Sequence, residues 1–122
     1  MPYLEILAPA IPIDRKATLA KSITDGLMSA FDVGAPTVTL YFLPVTPDDY
    51  AHAGEMGTSH TSIRVLLKVH AFRRGAAQRR AAAVALTEAA CLAYGTEGSN
   101  VAVYFLDREK DEVAHDSKLA SD

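Results

Sequence analysis

Cysteine is nearly absent. Cys91 stands alone in 122 residues, so no intramolecular disulfide can form, and a reducing cytoplasm suits the chain. With no activating partner near it in sequence, Cys91 reads as a small core residue. Long apolar runs are missing too, and no stretch could span a bilayer. The N-terminus lacks the basic region, apolar block and small-residue cleavage site of a signal peptide. Basic charge is not in excess: 12 Lys and Arg against 15 Asp and Glu leave a net −3, no electrostatic footprint for nucleic acid. The four histidines, His52, His60, His70 and His115, have no ligand spacing such as His-x-x-x-His, so no metal site is expected. These absences leave a soluble, cytoplasmic protein that binds neither membrane nor nucleic acid.

The composition that remains is ordinary, 49% hydrophobic and 22% charged, and the length suits one domain with a real core. Residues 2–8 read as a strand, broken by the run from Pro9 to Pro12. Asp14 can cap a helix to about Phe31, because Leu19, Ala20, Ile23, Leu27, Ala30 and Phe31 recur at helical spacing. Gly34 and Pro36 end it. Residues 37–43 form a strand by their β-branched and aromatic content, and Pro44 to His60 read as a loop. A second set follows: a strand at 62–71, an alanine-rich helix from Gly75 to about Tyr94, stopped by Gly95, and a strand at 100–106. The tail from Asp107 is polar.

The two sets look like copies. Tyr41 and Tyr104 stand 63 residues apart, and the same offset pairs Val38, Phe42, Leu43, Asp48, Ala51 and His52 with identical residues. Two βαβ units of common origin are therefore expected within a single domain, at about 2–60 and 61–122. Each unit should set its two strands parallel. The expected fold is α/β, a four-stranded mixed sheet with two helices on one face. The strands are apolar on both sides, with Val38, Leu40 and Phe42 on one and Tyr41 and Leu43 on the other. Helices cover one side, and other subunits are expected to cover the second.

Function is expected where the copies differ. Pro2 corresponds to Val65, and Arg73 and Arg74 correspond to Ala10 and Ile11. A proline cannot donate to a sheet ladder, although the first residue of a strand tolerates it. If Met1 is removed, Pro2 presents a rigid secondary amine, a base that needs no side chain. The plain alternative is a Met-Pro start without chemical meaning. A pseudo-two-fold axis would make the two first strands antiparallel and bring the start of the first to Arg73 and Arg74. These cations sit ahead of a helix N-terminus, where the macrodipole favours anions, so they violate a local rule. Together with the helix N–H groups they could clamp a carboxylate and disfavour protonation of a nearby amine. The alternative is a solvated basic patch with Arg79 and Arg80.

Pro2, the run Arg73-Arg74-Gly75-Ala76-Ala77-Gln78, the segment Val101-Ala102-Val103-Tyr104-Phe105 and the tail through Val113 give the chain its resemblance to the tautomerase superfamily. Nearly the whole chain is covered, with the tandem βαβ layout of the longer members: the macrophage migration inhibitory factor, malonate semialdehyde decarboxylase and cis-3-chloroacrylic acid dehalogenase groups. The nearest local match is to the dehalogenase group, at Ala20-Lys21-Ser22-Ile23-Thr24-Asp25 and Val103-Tyr104-Phe105. The resemblance implies a homotrimer without a cofactor, with Pro2 as catalytic base, Arg74 as carboxylate binder and Tyr104 as the pocket tyrosine. The chain departs from the dehalogenase pattern in having Leu27 or Met28 in place of a histidine, His70-Ala71 near its first pocket arginine, and His115 in place of its glutamate. It departs from the decarboxylase pattern at Thr37 and Phe72.

The reading these residues support is a keto–enol tautomerase of a small 2-oxo or dienol acid. Pro2 moves the proton, Arg73 and Arg74 hold the carboxylate, Tyr104 shapes or polarises the pocket, and His115 is a candidate for proton transfer. Since His52 and Tyr41 copy His115 and Tyr104, inherited structural roles for that pair are the alternative. Dehalogenase-like hydration and decarboxylation are variants of the same reading. A rival of another class is a ferredoxin-like ligand-binding module, which shares the order βαββαβ but has no use for a free Pro2.

Overall fold

Strand β1, Tyr3–Ala8, alternates strictly: Leu4, Ile6 and Ala8 are buried, whereas Tyr3, Glu5 and Leu7 are half-exposed on the other face. This is the period-two pattern of a strand with one face on a core. Pro2 precedes the ladder and contributes only its carbonyl, which accepts from the Thr39 N–H at 3.3 Å. In the computed structural model, residues 1–59 and 62–122 are described. His60 lies outside the described residues.

Helix α1 spans Ile13–Phe31 and buries Leu19, Ile23, Leu27 and Phe31 in one stripe. Its N-cap is Pro12, whose carbonyl accepts from the Lys16 N–H at 3.1 Å. Asp14 falls inside the first turn rather than at the cap, where its charge suits the positive helix end. The helix stops at Asp32, in the left-handed conformation (φ 54°), two residues before Gly34. A 3-10 turn at Ala35–Thr37 shortens the next strand, β2, to Thr39–Pro44. The expected loop holds a small hairpin, β3 (Ala51–His52) with β4 (Glu55–Met56).

The second half is β5 (Val65–Phe72), α2 (Ala76–Tyr94) and β6 (Val101–Arg108). The tail forms a further hairpin, β7 (Ala114–His115) with β8 (Lys118–Leu119). Offset by 63 residues, the bounds of α1 and α2 coincide, as do those of the paired 3-10 turns and hairpins.

The main sheet runs β2-β1-β5-β6, with parallel β1/β2 and β5/β6 pairs joined by an antiparallel β1/β5 pair. Each crossover thus links direct neighbours. A split βαβ inserts another strand between them, so the ferredoxin-like arrangement is excluded. The core lies between the sheet and helices: Leu4, Ile6, Val65, Leu67 and Val69 meet Leu19, Ile23, Leu27 and Leu86. A methyl group on Gly26 would come within 2.9 Å of the Ala85 Cβ, so glycine permits the close approach of α1 to α2. Cys91 is half-buried on α2 rather than in the core, because the buried stripe there follows Ala82, Leu86, Ala89, Ala90 and Ala93. Among the described residues, no helix is long and apolar enough to cross a membrane. On the sheet face away from the helices, Tyr41 (57%), Leu43 (42%) and Tyr104 (62%) are exposed.

Candidate active site at the start of β1

The antiparallel central pair carries the start of β1 to the end of β5. Tyr3 stands opposite His70, so Pro2 lies one residue from that pair and Arg73 three residues beyond it. The Pro2 ring is fully buried on the helix side. Arg74 is on that side too: its guanidinium lies over the Phe31 ring, 4.8 Å from the centroid, and donates to the Phe72 carbonyl at 2.7 Å. Arg73 pairs with Asp107 of β6 at 3.2 Å. Arg79 holds the second oxygen of the same carboxylate. Arg79, foremost, and Arg73 hold the Asp107 carboxyl below the usual carboxylate range. Arg73 ahead of α2 is therefore not left without compensation. Asp107, 34 residues from Arg73, supplies it.

The open face of the sheet carries a polar group that the sequence reading did not assemble. The Glu5 carboxylate accepts from His70 Nε2 at 2.7 Å and pairs with Lys68 at 3.4 Å. On the other side of the ring, Arg108 Nη2 lies 2.9 Å from His70 Nδ1. A guanidinium only donates, so Nδ1 must accept, and Nε2 then carries the proton given to Glu5. The hydrogen-bond partners thus assign the tautomer. Tyr3 stacks on the imidazole with centroids 4.4 Å apart and the planes parallel, and His70 is only 4% exposed.

The His70 hydrogen bond, and secondarily Lys68, hold the Glu5 carboxyl below the usual carboxylate range. A depressed carboxylate stabilises the fold above its unfolded pKa, and that contribution is lost as pH falls through the folded value. In thermal melts from pH 7 to 3, the Tm gap between wild type and Glu5→Gln should close below about pH 4.5. A gap that stays constant to pH 3 would show that the ionised Glu5 adds nothing.

Tyr104 and His115 are not gathered to Pro2 within one chain. Tyr104 pairs with Lys68, and Lys68 with Glu5. That places it two strands across and three residues along from Pro2, about 14 Å by strand geometry. Its ring stands on the open face, at a cavity of about 320 Å³ shared with Leu7, Val45, Tyr50, His52 and Arg64. This cavity opens at the opposite end of the sheet, where Val65 starts β5. His115 is exposed in the β7–β8 hairpin, opposite Lys118. Among the described residues, no group of three His, Cys, Asp or Glu side chains could hold a metal ion.

No family model and no curated protein matches the sequence. Solved structures do match it. Native fused 4-OT superposes with a TM-score of 0.91 at 16% identity, over 98% of this chain and 96% of that one. A fused 4-OT wild-type symmetric trimer gives 0.86 at 20% identity, over the same shares. N1, a member of the cis-3-chloroacrylic acid dehalogenase family, gives 0.79 at 17% identity, over 96% of this chain and 82% of that one. The fold is that of the tautomerase superfamily, as the sequence resemblance implied.

Proposed function

We propose that this chain is a keto–enol tautomerase of a small 2-oxo or dienol carboxylic acid, with Pro2 as general base once Met1 is removed. The observation that carries the reading is the β1/β5 register, which sets Pro2 beside the strand end that leads into Arg73 and Arg74. Guanidiniums beside a secondary amine disfavour its protonated form, and the free amine can take a proton from carbon α to a carbonyl. Protonation of the resulting enolate on oxygen gives the enol, the reverse step carries a proton from the (di)enol oxygen back to carbon, and no cofactor is required. Arg74 holds the substrate carboxylate. Arg73 adds to it only if it leaves Asp107, which makes it the weaker of the two.

The chain acts as a cytoplasmic homotrimer, built on the open sheet face. The exposed Tyr41, Leu43 and Tyr104 support this, as does the symmetric trimer among the structural neighbours. Tyr104 and His115 then serve the Pro2 site of an adjacent copy. Sedimentation equilibrium at micromolar concentration should give three times the chain mass, and a stable monomer would remove the means by which Tyr104 reaches substrate.

The test of activity is deuterium exchange at C3 of pyruvate, 2-oxobutyrate and phenylpyruvate, followed by NMR with protein shown by intact mass to lack Met1. Exchange well above the buffer rate is expected for at least one. No exchange with any of them overturns the reading.

A further inference from the structure

We propose that Arg108, held in orientation by His70, binds the carboxylate of a small organic acid on the open sheet face beside the start of β1. That the acid is a 2-oxo acid rests on the tautomerase reading, but the binding does not.

The first argument is charge. Glu5 is shared between His70 and Lys68. Arg108 meets the neutral nitrogen of an imidazole instead of an anion, and among the described residues no carboxylate lies within ion-pair distance of it. The group Glu5, Lys68, His70 and Arg108 therefore carries a net charge of about +1 at pH 7. Arg73 is held by Asp107, and Arg74 reaches a substrate carboxylate from the helix side, where its guanidinium lies over the Phe31 ring, so Arg108 is the arginine that faces it from the open side.

The second is preorganisation. One Arg108 N–H goes to His70 Nδ1, and another reaches the Asp107 carbonyl only at 3.5 Å. The rest of its planar fork is free for a bidentate carboxylate. His70 cannot turn away, since Tyr3 lies flat on it and Glu5 holds its far nitrogen. Part of the ordering cost of binding is thus already met.

The third is position. Arg108 pairs with Phe72, two residues beyond His70 on β5, while His70 pairs with Tyr3. Arg108 therefore lies two strands from the start of the chain, about 10 Å across the sheet. The internal repeat sharpens the contrast. Offset by 63 residues, His70 and Arg108 correspond to Leu7 and Val45, which line the cavity at the opposite end. The polar pair occupies one end of the sheet only, the end with the proline.

The test is an NMR titration of pyruvate into isotope-labelled, Met1-free protein. Arg108→Ala should raise Kd by about 10- to 100-fold, the loss of a charge-assisted pair. Arg108→Lys should recover part of the affinity, with charge but no fork. Arg80→Ala, the same loss of charge on the exposed side of α2, should leave Kd unchanged. His70→Leu should weaken binding several-fold. His70→Gln should restore it, because an amide can accept from Arg108 and donate to Glu5. The proposal is overturned if Arg108→Ala binds pyruvate as wild type does, or if wild type binds none. A His70→Gln no better than His70→Leu removes His70 from the positioning role. Arg108-dependent binding without C3 exchange would instead sink the tautomerase reading and leave this one standing.

Discussion

A single glycine added ahead of Pro2 should abolish C3 exchange, lowering kcat by at least about 10³-fold. Pro2→Ala in the Met1-free protein should lower it by about 10²-fold. The graded order follows from the nitrogen. In the extended chain it is an amide without basicity, whereas Pro2→Ala keeps a primary amine and loses only the rigid ring. Both changes keep the backbone bond of residue 2, its carbonyl to Thr39, but Pro2→Ala also removes a buried ring and should lower Tm. An unchanged Tm for the glycine-extended protein would therefore separate lost chemistry from lost folding. A glycine-extended protein that exchanges at the wild-type rate would refute the amine as base, whatever the fold.

The parts of this molecule that were legible in its sequence are those written in local patterns. The stripe from Leu19 to Phe31 specifies α1 because each apolar residue lies one turn from the next. The 63-residue offset carries over to the second half, down to matching helix bounds. The small hairpins were hidden for a local reason. Two-residue strands show no period, and Ala53, Asp116 and Ser117 adopt positive φ without the usual turn signature. The cap of α1 was misread because Pro12 caps through its backbone alone, where side-chain rules favour Asp14. The polar group on the open face was hidden for a longer-range reason. Glu5 and His70 are 65 residues apart and His70 and Arg108 are 38 apart, so only the strand register brings them together. The same register supplies Asp107 to Arg73, which local rules alone had left as an unexplained cation.

A large loss of stability is expected at Leu27. Its side chain is 0% exposed in the second half of α1, within the core between helices and sheet. Leu27→Ala should destabilise by about 2–5 kcal/mol, the cost of lost burial plus the cavity left behind. The repeat predicts the opposite sensitivity in the other helix. Leu19 and Leu27 correspond to Ala82 and Ala90, all buried, so α1 supplies bulk where α2 supplies small residues. Ala90→Leu should therefore also destabilise, by about 1–3 kcal/mol through overpacking, although it restores the residue found in the other copy. Urea unfolding at one fixed protein concentration measures both, since assembly makes stability depend on concentration. If Ala90→Leu proves neutral or stabilising, the two halves have interchangeable cores. The alanines of α2 would then reflect helix propensity and not the fit against β5 and β6.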